Sequence, residues 1–499
     1  MSNPIHSDTH GGLYHNGSWS QGQGQHFVSS DPATGEAVFA ANAADGAQVQ
    51  AAVDSARHAF ELWSRTTRAH RISIMEAYAK ALQARATSIA EAISRDMGKA
   101  LWESTAEAAA MVGKVAISVR AYDERTGQRE EAAMFGKASL DHRPWGVMAV
   151  LGPFNFPGHL PNGHIVPALL AGNTIVFKPS ELAPKVATLM VEAFEEAGLP
   201  DGVLNLVMGG RGTGAALLGA HGVDGVLFTG SATTGTDIHR MFAGKPEVVL
   251  ALEMGGNNPL IIWEPAGIDA AADLLVHSAF ITSGQRCSCA RRIILPRGTF
   301  GDQVLEATHA RIKAMSLGPW NGSPAPFIGP VINAAQAQRV TQFEAELVSL
   351  GGRPIVAPII GVEGPAFVRP GLIDMTDAHE DHDEELFAPF AQVFRVESFD
   401  EAIARANSTR FGLSSGLVCD DHDLWSQARE QLRAGLINWN RPTTGAASSL
   451  PFGGPGLSGN GRPSAYYAAD YCAFPIAHQE APKAETISAI GLPSLAPTS

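Results

Sequence analysis

At roughly 100 to 200 residues per domain, the 499 residues of this chain allow about three domains, and a composition 45% hydrophobic and 17% charged excludes a disordered or fibrous chain. The formal charge of −14 repels nucleic-acid phosphates and anionic headgroups, so neither nucleic acid nor a membrane is expected as a partner, and any anionic ligand must meet a local cluster of donors. Four cysteines, Cys287, Cys289, Cys419 and Cys472, are too sparse for a disulfide framework and point to a reducing, cytoplasmic setting.

The first 25 residues carry no secretory or transit pattern, and no window approaches the roughly 20 apolar residues that span a bilayer. Both ends are expected to be poorly ordered, the tail after about Ala477 being rich in Ala, Pro, Ser and Thr. From Gly46 to Gln128 apolar residues recur at helical spacing, which predicts a helical block. Short β-type runs follow at 147–151, 174–177, 203–207, 225–228 and 248–254, separated by segments of helical character. A second alternating set runs from about Asn258 to Asn438. Strand and helix in alternation predict parallel sheets with crossover helices, here two α/β lobes with a cleft between them. The stretch 125–146 fits neither set and reads as an extended arm that packs on another subunit.

Five segments carry possible chemistry. FTGSATTG at 228–235 follows a strand and opens a helix, so its N–H groups and the helix N-terminus suit a pyrophosphate; the alternative is a plain turn. FKPSE at 177–181 sets Lys178 and Glu181 at a strand end, where open sheets meet ligands. SGQRCSCARR places Cys287 among Arg286, Arg291 and Arg292, cations that lower a thiol pKa, although an isolated cysteine is also compatible with an inert buried thiol. Its C-x-C pair has no companion ligand cluster, so no metal is expected. LEMGGNNP at 252–259 carries Glu253 out of a strand beside two glycines, where desolvation raises a carboxyl toward the range of a general base. Asn155, between aromatics in GPFNFP, offers an amide donor to an oxyanion or a turn residue.

These landmarks, with EELFAP at 384–389 and PFGGPGLSGNGR at 451–462, resemble the NAD(P)-dependent aldehyde dehydrogenase superfamily in order and spacing over almost the full chain. The resemblance implies two Rossmann-like parallel-sheet lobes and a small oligomerisation arm. The NAD-binding domain is then 1–127 with 147–252, the catalytic domain 253–458, the oligomerisation region 128–146 with 459–490, and the tail 491–499. It implies Cys287 as the nucleophile, Asn155 and the Cys287 N–H as oxyanion donors contributing on the order of 3 kcal/mol each, and Glu253 as the base that activates water. Gly230, Ser231, Ala232, Thr233, Thr234 and Gly235 take the phosphate turn, Lys178 and Glu181 the adenosine ribose, and Glu385 and Phe387 the nicotinamide ribose. A carboxylate at Glu181 repels a 2′-phosphate, so the expected cofactor is NAD. Ala388 stands where the family usually has Gly; a positive φ there would cost around 1 kcal/mol.

Longer strings, among them FNFPGHLPNGHIVPALLAGN, the doubled-Cys GQRCSCARR and RPSAYYAADYCA, narrow the resemblance to a branch that oxidises N-succinyl-L-glutamate 5-semialdehyde to N-succinyl-L-glutamate through a cysteine thioester in arginine catabolism. Its two substrate carboxylates need cationic or hydroxyl partners. The candidates are Arg291, Arg441 and Ser449, with Arg292, Arg462, His159, His164, Thr443 and Ser448 as further possibilities. Other small anionic semialdehydes are the near alternative. A CoA-acylating enzyme would not need Glu253, and a cofactor-free cysteine hydrolase would need a His beside Cys287. The family's dimers or tetramers imply a homo-oligomer.

Overall fold

The computed structural model describes residues 11–134, 136–380, 382–484 and 489–491. The helical block resolves into four helices, Gly46–Trp63, Arg68–Ala84, Ala86–Met97 and Leu101–Arg125. Their boundaries follow local chemistry. Asp45 and Gln48 form a reciprocal capping box, Thr67 accepts from the His70 N–H, and Gly98 ends the third helix at φ 77°, a conformation that costs a residue with a Cβ. The last of the four is unusual. Its buried face includes Glu103, Glu107 and Lys114 alongside Met111 and Val115, a helical stripe on which ionisable groups are rare.

Two seven-stranded sheets form the body. In the first, Val249–Met254, Gly225–Gly230, Val147–Leu151, Thr174–Lys178 and Leu204–Val207 run parallel in that spatial order. Their register aligns Leu151 with Lys178 and with Phe228, and Thr229 with Glu253. The carboxyl ends of four strands therefore share one edge, and Asn155, Lys178, the Gly230–Gly235 turn and Glu253 all leave from it. In the second sheet, Gly371–Asp374, Phe390–Val396, Ala290–Pro296, Asn258–Ile262, Ser414–Val418 and Leu436–Trp439 are parallel neighbours. Cys287 and Glu385–Phe387 lie just before two of these strands, so the first sheet's outgoing edge and the second sheet's incoming edge meet at the site.

Neither sheet is wholly parallel. Gly12–His15 and Ser18–Gln21 extend the first sheet in antiparallel sense, and Arg353–Val356 caps the second. Order at the amino end thus begins earlier than expected, because a sheet edge supplies ladder partners that composition does not reveal; residues 1–10 lie outside the described residues. The chain is likewise ordered as far as Glu480, while 485–488 and 492–499 lie outside the described residues. Ala473–Glu480 pairs antiparallel with Gly136–Pro144, Ala473 opposite Pro144 and Glu480 opposite Lys137, and Arg129–Ala133 completes a three-stranded sheet. The 125–146 excursion and the C-terminal segment are therefore one element.

Candidate active site

The backbone that presents Cys287 is strained. Thr282, Ser283 and Gly284 sit in the left-handed region at φ 56°, 54° and 69° in succession, which is unfavourable for residues with a Cβ and persists only when neighbours over-determine it. The neighbours do so. The Thr282 hydroxyl donates to Glu103, Ser283 Oγ donates to Gly329 O at 2.7 Å, and Gln285 Oε1 accepts from the Ile332 N–H at 2.9 Å. A Cβ on Gly284 would lie 2.2 Å from the Ala388 carbonyl oxygen, so only glycine fits. Beyond the cysteine, Asn258 Nδ2 donates to the carbonyls of Cys287 and Cys289 at 2.6 and 2.9 Å. Among the described residues the Cys287 N–H carries no hydrogen bond.

Cys287 is partly exposed and, with Glu253, lines a cavity of about 310 Å³ between the two sheets. Glu253 is 4% exposed; Oε1 accepts from the Ser464 N–H at 3.0 Å, and among the described residues Oε2 has no hydrogen-bond partner. Burial pushes its carboxyl well above the ordinary range, as its strand-end position leads one to expect. Asn155 is buried beside the elbow, with Nδ2 donating to Gln285 O at 3.0 Å and its own carbonyl accepting from Lys99 Nζ at 2.8 Å. Lys99 is in turn paired with Glu107 at 2.7 Å and lies 3.7 Å from the Phe156 ring centroid. Neither Lys99 nor Glu107 was reached from the sequence, because the contact spans 56 residues between Lys99 and Asn155.

The cations around the thiol do not do what their proximity in sequence implies. Arg286 pairs with Glu103 at 2.9 Å, Arg291 donates to the carbonyls of Gly284, Arg286 and Ala388, and Arg292 donates to those of Ala406 and Arg405. Burial, and then the neighbouring carboxylates Glu385 and Glu253, push the Cys287 thiol up. Arg291 is accordingly corrected from a substrate contact to a clamp on the elbow. Arg441, Ser449 and Arg462 are exposed and do not line the cavity, whereas Ser448, Thr444, Ser464, His159 and His164 do. Thr443 is buried behind its loop, with its N–H on Ser278 Oγ at 3.2 Å.

Of the residues assigned to a dinucleotide, Lys178 and Gly230 end strands of the first sheet, and Glu385 and Phe387 precede a strand of the second. Ser231 caps the helix Ala232–Met241 by accepting from the Thr234 N–H at 3.2 Å. A Cβ on Gly230 would lie 2.4 Å from the Phe228 ring, and one on Gly235 2.2 Å from Met254 Sδ. Lys178 Nζ reaches Pro179 O at 3.0 Å and Glu181 Oε2 at 3.3 Å, and a Cβ on Gly214 would touch its aliphatic stem. The Glu385 carboxylate sits against Gly255, where a Cβ would fall 1.6 Å from Oε2; its Oε1 is buried without a partner, and burial pushes it up to about 7. Phe387 packs edge-on to Phe154 at 5.8 Å. Ala388 is buried and is not among the residues of positive φ, so the strain considered for a Cβ at that position is absent.

The aldehyde dehydrogenase family profile matches residues 19–474. The chain belongs to that family. It is 56% identical over 474 residues to N-succinylglutamate 5-semialdehyde dehydrogenase 2 of Caulobacter vibrioides, covering 94% of this chain and 96% of that one. To the N-succinylglutamate 5-semialdehyde dehydrogenase of Escherichia coli it is 51% identical over 468 residues, 94% and 95% of the two chains. Among solved structures it is similar to a Mycobacterium tuberculosis aldehyde dehydrogenase complexed with NAD+, with a TM-score of 0.88 and 30% identity over 94% and 97% of the chains. It also matches the 1-pyrroline-5-carboxylate dehydrogenase of Thermus thermophilus, with a TM-score of 0.87 and 29% identity over 93% and 92%. Among the described residues of this family member no helix is long and apolar enough to cross a membrane.

Proposed function

We propose that this aldehyde dehydrogenase oxidises N-succinyl-L-glutamate 5-semialdehyde to N-succinyl-L-glutamate with NAD. The observation that carries the reading is one cavity holding both Cys287, on a strained elbow, and Glu253, with a buried oxygen that no protein group satisfies. Cys287 passes its thiol proton to Glu253, in the same cavity, its sulfur attacks the aldehyde carbon, and the N–H of Cys287 with the amide of Asn155 receives the negative oxygen; Glu253 releases that proton to solvent before deacylation. Ser231, Lys178, Glu181, Glu385 and the glycines would hold the dinucleotide, which would supply the hydride acceptor for the reacting carbon. Glu253 then takes a proton from the water that adds to the Cys287 thioester carbon; the C–S bond breaks, releasing the carboxylic acid and regenerating the Cys287 thiolate. Glu253 Oε2 is free for that proton because Ser464 engages only Oε1. The test is kcat/KM for a panel of aldehydes with NAD and NADP, followed as nicotinamide reduction without CoA. The succinylated semialdehyde with NAD should lead the panel, and equal or better turnover of simple aliphatic aldehydes overturns the substrate.

The same reading places NAD on residues 1–127 and 147–252 and catalysis on 253–458. We infer a homodimer or homotetramer joined through 128–146 and 459–490, supported by the fully exposed edge strand Arg129–Ala133 and by Met134, 89% exposed at the hairpin tip. Sedimentation of the protein with and without Met134→Lys tests that placement; an unchanged mass overturns it. Four free cysteines support a reducing, cytoplasmic setting.

A further inference from the structure

One wall of the cavity is the helix Leu101–Arg125, which brings Glu103, Glu107 and Lys114 to its lining. Each of the two carboxylates already holds a cation, although Glu103 Oε2 has no hydrogen-bond partner among the described residues. Glu103 holds Arg286 at 2.9 Å; Glu107 holds Lys99 at 2.7 Å and accepts from the Gly158 and His159 N–H groups, each at 3.1 Å. Lys114 differs. It is 2% exposed, and among the described residues its ammonium has neither a hydrogen bond nor an ion pair. The titratable groups facing it offer no anion. Burial keeps the Cys472 thiol protonated and drives His159 down to about 4 and His164 to about 3, so both rings are neutral. His164 is further tied to Tyr471 and Thr229 at 2.8 and 3.1 Å. Glu253, elsewhere on the lining, has its carboxyl pushed up by burial, which disfavours its charged form. Burial lowers Lys114 itself to about 8, which leaves it mostly charged at neutral pH.

An ammonium taken from water without a counterion is costly, and the protein supplies none. We propose that Lys114 is the specificity-determining anchor of this site, forming an ion pair with a carboxylate of the substrate and thereby selecting anionic semialdehydes. The inference deepens the function proposed above and rests on the substrate being anionic. It also separates two lysines on one wall. Lys99 is saturated by Glu107 and Asn155 and positions the oxyanion amide, while Lys114 is left for the ligand.

The experiment compares the ratio of kcat/KM for anionic over neutral aldehydes in the wild type, Lys114→Met, Lys114→Gln and Lys114→Arg. The panel holds N-succinylglutamate 5-semialdehyde, succinate semialdehyde and an uncharged aliphatic aldehyde of similar length. The ratio should fall about 100-fold in Lys114→Met and in Lys114→Gln, mainly through KM, and recover in part in Lys114→Arg. A ratio unchanged in whichever of the two neutral variants folds overturns the anchor while leaving the proposed substrate standing. A wild type that prefers succinate semialdehyde overturns the proposed substrate, yet the anchor stands if the neutral variants erase that preference. A wild type with no preference for anions overturns both.

Discussion

The segment Ile281–Arg292 and the helix Leu101–Arg125 line the same cavity yet use charge in opposite ways. The first is dense in cations beside a cysteine, and its arginines hold carbonyls and Glu103 in place to fix an elbow with three consecutive left-handed residues. The second is an ordinary-looking amphipathic run whose buried stripe delivers two committed carboxylates and one uncommitted ammonium. Charge near a nucleophile in sequence is thus no guide to its role. What decides it is whether the fold has already supplied a partner. The arginines of the first segment are engaged by carbonyls and Glu103, whereas among the described residues Glu253 Oε2, the Cys287 N–H and the Lys114 ammonium have no hydrogen-bond partner.

The sharpest challenge to that contrast is Cys287→Ala. Turnover should fall by at least ~10⁴-fold while NAD binding, measured by calorimetry, persists; residual dehydrogenation near the wild-type rate would remove the elbow's purpose. Next, Glu253→Gln should cut steady-state turnover by roughly 10² to 10³ yet release about one equivalent of reduced nicotinamide per site before stalling. Because Glu253 acts only when deprotonated and burial raises its pKa, deacylation should rise with pH on a limb above the ordinary carboxylate range. That limb should vanish in the glutamine variant.

Arg291→Met tests the clamp. It strips donors from three buried carbonyls, so unfolding in urea should show a loss of about 2 to 4 kcal/mol, while the anionic-to-neutral aldehyde ratio stays where it was. A collapse of that ratio without loss of stability would return Arg291 to the substrate. Smaller still, Glu181→Ala should raise the NADP-to-NAD ratio of kcat/KM roughly tenfold by removing the repulsion of a 2′-phosphate and freeing Lys178 to meet it. The least effect belongs to Ala388→Gly. Since Ala388 lies outside the left-handed region, glycine should lower stability by no more than about 1 kcal/mol through chain entropy, visible as a small drop in Tm.

Periodicity alone determined the helical block and the two α/β lobes, because apolar spacing sets helix or strand and parallel strands deliver their turns to one edge. The order of the motifs carried the resemblance to the family, and the roles proposed for Cys287, Glu253 and Asn155 rest on that resemblance. Tertiary structure alone decided which charges are free. The pairings Lys99 with Asn155, Arg286 with Glu103 and Glu253 with Ser464 join segments 56, 183 and 211 residues apart, and neither composition nor spacing encodes them. The antiparallel edge strands at the amino end and the pairing of 473–480 with 136–144 were hidden for the same reason, since a strand's order depends on a distant partner's backbone. One clue was legible: ionisable residues at 103, 107 and 114 share a helical stripe with Met111, and a charge on a buried face needs either a partner or a ligand.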